Sequence, residues 1–143
     1  FYDQEVQTAS RRSSVTLTLE DEINISRGDM ITKLDNLPVI SKQFAAKIAW
    51  MDRETLKVGN KYVIQHGVNK VLAKVDRIHH TINTDFSGIV ETVNELDIND
   101  IALVSFKLNK PIFYDAFKNH RTNGSFIIIN PQSNTTAGAG FIQ

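Results

Sequence analysis

The stretch IALVSFKLNK, residues 101–110, decides the fold. Ala102, Val104, Phe106 and Leu108 alternate with Leu103, Ser105 and Lys107. A period of two places the first set on one face of an extended chain, so the stretch predicts a strand with one side on a core. The same rhythm recurs along the chain. Val15, Leu17 and Leu19 show it, as do Phe44, Ala46, Ile48 and Trp50, and Val71, Ala73 and Val75. Residues 41–46 look helical in isolation, but the alternation around them predicts strand. Phe126 to Ile129 form a continuous apolar run, which suits a strand covered on both faces.

Turn residues separate these runs at short intervals: Arg27-Gly28-Asp29, Val58-Gly59-Asn60, His66-Gly67, Ser87-Gly88, Asn109-Lys110-Pro111 and Asn123-Gly124. VIQHGVNKVLAKV predicts a hairpin with His66-Gly67-Val68-Asn69 at its tip. Helix is scarce, with one turn expected over 115–119. Many short strands joined by glycine-bearing turns indicate an all-β sandwich or closed barrel. The segment TKLDNLPVIS, 32–41, holds Pro38 and lacks alternation, so a domain boundary is expected there. Residues 1–36 then read as the last strands of one β domain, and 37–143 as a complete second one. The chain starts at Phe1, inside strand-like sequence, and reads as a piece of a longer protein.

Composition narrows the function. The 143 residues carry 16 basic and 16 acidic side chains, a formal net charge of zero, which argues against a dominant phosphate-binding surface. No cysteine is present, so disulfides, thiolate nucleophiles and cysteine metal sites are excluded. That absence suits the cytoplasm. No apolar run approaches the roughly 20 residues of a membrane-spanning helix.

Short catalytic motifs are missing or bare. His66, His79, His80 and His120 show no metal-binding spacing, and the adjacent His79 and His80 would point to opposite faces of a strand. No phosphate-binding loop G-x-x-x-x-G-K-S/T occurs, and none of the three Asn-Lys pairs continues as N-K-x-D. Asp85-Phe86-Ser87-Gly88 fits D-x-x-G, a weak pattern without that loop. No G-x-S-x-G elbow occurs, and Ser125 beside Asn123-Gly124 has no base supplied by the sequence. Asp97, Asn99 and Asp100 lack the glycine and distal glutamate of an EF-hand. Catalytic, cofactor-binding and metal-ligating residues are therefore expected to be absent, which leaves a binding or structural β module.

Two longer stretches carry a resemblance. VTLTLEDEINISRGDMI, 15–31, is similar to the end of the second domain of translation-factor-type GTPases: apolar strand, acidic link, Arg-Gly, closing strand. Residues 95–142 resemble the third domain of the same superfamily, whose last strand carries a Gly-Ala-Gly end, here Gly138-Ala139-Gly140. LEDEINISRGDMI, Ala49-Trp50-Met51 and SNTTAGAGFI resemble the sulfate adenylyltransferase subunit 1 family, the GTP-hydrolysing large subunits of bacterial ATP sulfurylase. Elongation factor Tu reads similarly only in the Arg-Gly turn and the final strand.

The resemblance implies a closed, six-stranded barrel like the third domain of elongation factor Tu, preceded by the last strands of a second barrel. It implies a parent enzyme that joins ATP and sulfate into adenylyl sulfate and pyrophosphate. GTP and magnesium would be held in an N-terminal domain upstream of these residues. The expected partners are that domain and the small catalytic subunit, with neither nucleic acid nor membrane. A tRNA-binding elongation-factor fragment is the alternative.

Arg27-Gly28-Asp29 also spells a cell-adhesion signal, a reading that rests on three residues. As a turn, Gly28 would permit the reversal, Asp29 would bond nearby backbone amides, and Arg27 would reach Glu20 or Glu22. Gly138 and Gly140 weaken a strand interior, so they are expected where another backbone or domain comes close.

Overall fold

The computed structural model describes residues 5–10, 12–82 and 93–143, and the backbone of 89–90. Among the described residues nine strands appear: β1 Val39–Trp50, β2 Leu56–Lys57, β3 Lys61–His66, β4 Asn69–Ile82, β5 Ile89–Val90, β6 Glu95–Leu96, β7 Ile101–Tyr114, β8 Ser125–Ile129 and β9 Thr136–Ile142. No helix occurs among the described residues. The pairing order β3-β8-β9-β1-β7-β4 returns to β3 through the β3–β4 hairpin, which closes a six-stranded antiparallel barrel. Closure pairs every barrel strand on both sides and removes the exposed edges that invite aggregation. β5 adds to the end of β4, and β2 pairs with β6 in a separate ribbon.

The alternation in residues 101–110 does what it predicts. Ala102, Val104, Phe106 and Leu108 are buried and face the alternating set of β1, with Phe44 opposite Phe106 and Ala46 opposite Val104. The aromatic residues form the centre of the core. Phe44 lies 5.7 Å from Phe106 and 5.2 Å from Phe126, the latter edge-to-face, the arrangement that ring quadrupoles favour. Trp50 is wholly buried and packs 5.2 Å from Tyr62. The β2–β6 ribbon inserts Leu56 and Leu96, both fully buried.

The hairpin tip is as expected: His66 pairs with Asn69 across a two-residue loop, and Gly67 has φ +56°. A positive φ at the first loop residue alone matches a type II′ turn, whose twist suits the flanking strands. Two bulges interrupt β4. Asp76 is the extra residue between Val75 and Arg77, and His79 between Ile78 and His80. Bulges sharpen strand coiling, which a barrel of few strands needs to close. They also break strict alternation, and His79 and His80 are both half-buried.

Two expectations need correction. Asn109-Lys110-Pro111 is not a turn: β7 runs through it to Tyr114. The pairing with β1 jumps from Lys107 opposite Gln43 to Ile112 opposite Ser41, so Pro111 sits where no ladder needs its missing N–H. Val15, Leu17 and Leu19 form no strand here, and all are exposed. A strand needs a neighbour to take its backbone hydrogen bonds, and the closed barrel offers it none. Ser87-Gly88 and Asp85-Phe86-Ser87-Gly88 lie outside the described residues.

Candidate interaction surface

The Arg27-Gly28-Asp29 turn is held on three sides. Asp29 N donates to Ser26 O at 3.0 Å, and Ser26 N donates to Asp29 Oδ2 at 2.8 Å. Gly28 sits at φ +106°, which side chains other than hydrogen rarely adopt. Its carbonyl accepts from Asn69 Nδ2 of the hairpin tip at 3.2 Å, so the N-terminal arm is tied to the barrel. Arg27 makes no ion pair with Glu20 or Glu22 among the described residues. A Cβ at Gly28 would stand 2.5 Å from Asn69 Oδ1. Gly28→Ala is therefore expected to cost the turn about 1–3 kcal/mol in local opening, from backbone strain and the Asn69 clash together. Faster hydrogen exchange at Asp29 N, with the barrel melting point unchanged, is the check.

Below this contact the arm and one barrel end frame an open groove of about 360 Å³. Met30, Ile31 and Pro38 line one side, and Asp115, His120 and Asn123 the other. The barrel side is stiffly built. Asn123 O accepts from His66 Nε2 at 2.8 Å, Asn123 Nδ2 donates to Asp115 Oδ2 at 2.7 Å, and Asn123 N donates to His120 Nδ1 at 3.0 Å. The expected turn over 115–119 appears as amides of Asn119 and His120 bonding to Ala116 O. Gly124 closes it. A Cβ there would collide with the Phe117 backbone and stand 2.9 Å from Asp115 O. The Asn123-Gly124 pair marked a turn in the sequence, but nothing in it announced that approach.

Gly138 and Gly140 lie in β9, between β8 and β1. A Cβ on Gly138 would stand 2.9 Å from Ala49 O, and one on Gly140 would meet the Phe126 ring and stand 3.0 Å from Ile48 Cγ2. Both neighbours belong to the barrel itself: the backbone of β1 for Gly138, and core side chains for Gly140.

The opposite barrel end carries Asp52, Glu54 and Asn130. Buried Asn130 donates Nδ2 to Asp52 Oδ2 at 3.3 Å, while its Oδ1 accepts from Gln132 N at 2.9 Å. Trp50 Nε1 donates to Glu54 O at 2.8 Å. The Glu54 amide, then the Asn130 side chain, hold the Asp52 carboxyl below its usual range against a burial penalty. Burial pushes the Tyr62 phenol up, and the charges of Asp52 and Glu54 add to it. Because Asp52 is depressed in the folded state, its stabilisation is present above the ordinary carboxylate value of about 3.9 and is lost as pH falls through the lower folded value. The gap in urea midpoint between wild type and Asp52→Asn is therefore expected to be widest near neutral pH and to shrink in acid.

His79 Nε2 lies 2.7 Å from Ser105 Oγ of the neighbouring strand β7. No group of histidine and carboxylate side chains suited to a metal occurs among the described residues. No helix among them is long and apolar enough to cross a membrane.

Residues 43–143 match the family model described as GTP-eEF1A C-terminal domain-like. The chain belongs to that family. Sulfate adenylyltransferase subunit 1 of Colwellia psychrerythraea is 39% identical over 143 residues, covering 99% of this chain and 30% of the relative. The protein of the same name from Bacteroides fragilis is 36% identical over 141 residues, covering 99% and 29%. The bifunctional enzyme NodQ of Rhizobium meliloti is 34% identical over 141 residues, covering 99% and 22%. The chain thus spans less than a third of the length of these curated relatives. Among solved structures, Sup35 complexed with GDP matches with a TM-score of 0.69 at 14% identity, covering 76% of this chain and 26% of that one. At that identity the likeness shows the shared barrel fold.

Proposed function

We propose that this chain is the C-terminal barrel region of the GTP-hydrolysing subunit of a sulfate adenylyltransferase. The parent would act in the cytoplasm, where ATP and sulfate become adenylyl sulfate and pyrophosphate in sulfate assimilation leading to cysteine. The observation that carries this reading is the 39% identity to a subunit 1 protein over 99% of the chain, arm and barrel together. Residues 1–36 belong to the end of a preceding barrel. Leu17, 66% exposed, with Val15 and Leu19 beside it, keeps the alternation of a strand but has no cover here.

The barrel itself is non-catalytic. It packs against the upstream domain that holds GTP and magnesium, and against the small subunit that joins sulfate to ATP. A closed, aromatic-cored barrel suits this role because it moves as one body when its neighbour changes state. The test uses the full-length parent with the small subunit, following pyrophosphate release from ATP and sulfate with and without GTP. GTP-stimulated release supports the reading. Absence of release, together with GTP-dependent binding of aminoacyl-tRNA, would overturn it in favour of a translation factor.

A further inference from the structure

Asn123-Gly124 is the chain's one Asn-Gly pair. Such a pair is chemically reactive toward itself, because glycine has no Cβ to shield its backbone nitrogen from the preceding side-chain amide. The attack needs the Gly124 nitrogen to reach Asn123 Cγ in an aligned approach, with both groups free to turn. The fold holds both. Gly124 is buried, its N donates to His120 O at 2.8 Å, and its O accepts from Ile142 N at 2.8 Å. Asn123 Nδ2, the group that would leave, donates to Asp115 Oδ2 at 2.7 Å. His66 Nε2 and His120 Nδ1 hold the Asn123 backbone through its O and its N.

We propose that Asn123 is a modification site kept latent by the fold: it deamidates through Gly124 when the 115–124 turn opens, and the product hinders the turn from closing again. In the open turn the Gly124 nitrogen bonds to Asn123 Cγ, its proton passing through water to the departing amide. The Cγ–Nδ2 bond breaks, ammonia leaves, and a cyclic succinimide remains. Water then adds at either ring carbonyl. One opening gives aspartate, and the other gives isoaspartate, with the main chain rerouted through the side chain. No oxidant or reductant is needed. Both products put an acid group where a donor met Asp115 at 2.7 Å, and two carboxylates so close repel when both are charged. Isoaspartate also adds a carbon to the main chain beside Gly124, where a Cβ would already stand 2.9 Å from Asp115 O. Asp115, His120 and Asn123 form the barrel side of the groove under the N-terminal arm, so a loosened turn alters that wall.

The experiment incubates the full-length protein at mildly alkaline pH and follows conversion at Asn123 by peptide mass spectrometry. Hydrogen exchange at the Gly124 amide is measured alongside, since it needs the same opening. The folded chain is expected to convert at least about 10-fold more slowly than the same chain in urea. Asp115→Ala frees Asn123 Nδ2 and is expected to speed both conversion and Gly124 exchange by about 3-fold or more, and Asp115→Asn, which keeps an oxygen acceptor, by less. Asn123→Asp is expected to speed Gly124 exchange at least as much as Asp115→Ala does. Equal rates in the folded and urea-unfolded chain overturn the proposal, because the turn then holds nothing in check. Conversion confined to other asparagines overturns it as well. So does wild-type exchange at Gly124 in Asn123→Asp, which would show that the product fits the turn.

Discussion

Replacing Trp50 with alanine is expected to destabilise the barrel by about 3–5 kcal/mol, the range for a large buried aromatic removed from a core. Trp50 is fully buried, packs edge-on against Tyr62, and ends the strand that pairs with both β7 and β9. Its loss opens a cavity beside Tyr62, and it also frees Glu54 O from its indole donor. At roughly 4 °C per kcal/mol for a domain of this size, the melting point should fall by more than about 12 °C. Trp50 is the only tryptophan, so the melt is followed by circular dichroism rather than indole fluorescence. Trp50→Phe retains most of the apolar volume but not the hydrogen bond, and should cost about 1–3 kcal/mol. An alanine variant that melts within a few degrees of wild type would show that this end of the barrel does not depend on its indole.

Gly140→Val should have the second-largest effect. The added Cβ alone would stand 2.7 Å from Phe126 Cε1 and 3.0 Å from Ile48 Cγ2. Phe126 cannot swing away freely, because Phe44 and Phe106 hold it at 5.2 and 6.0 Å. Overpacking of this kind costs about 1–3 kcal/mol for the first methyl group, and valine adds more. The remedy identifies the cause. Phe126→Leu in the Gly140→Ala background should recover part of the loss, giving a favourable coupling in a double-mutant cycle of about 0.5–3 kcal/mol. If the two losses simply add, the ring is not what excludes the side chain.

Gly138 has a different neighbour, the Ala49 carbonyl, which is backbone and cannot turn aside. The sequence marked both glycines as places where another backbone or domain comes close. The structure answers from within the barrel: one glycine makes room for an aromatic ring, the other for the adjoining strand.

Strand identity was legible because the period of two is a local property, written in each run without reference to the rest. Val71, Ala73 and Val75 could be read as inward-facing before any partner was known, and they are buried. The hairpin tip at Gly67-Val68 was legible for the same reason. Turn residues inside a long strand misled: Asn109-Lys110-Pro111 has the composition of a turn, yet β1 and β7 carry the ladder past it by a jump in register. Only the partners could show that. The Asn69 contact to Gly28 O links residues 41 apart in sequence, and the Asn130 contact to Asp52 links residues 78 apart. Neither leaves a local trace.

The sequence by itself determined that this is an all-β chain with alternating, half-buried strands and no cysteine chemistry. Its longer stretches carried the resemblance to a GTPase family. Tertiary structure alone decided which strands are neighbours, that the β3–β4 hairpin closes the barrel, and that His66, Asp115 and His120 meet at Asn123. The reason is the range of the forces. Periodicity and turn chemistry act over a few residues, whereas register is chosen by packing across strands, where a shift of one residue turns every side chain to the other face.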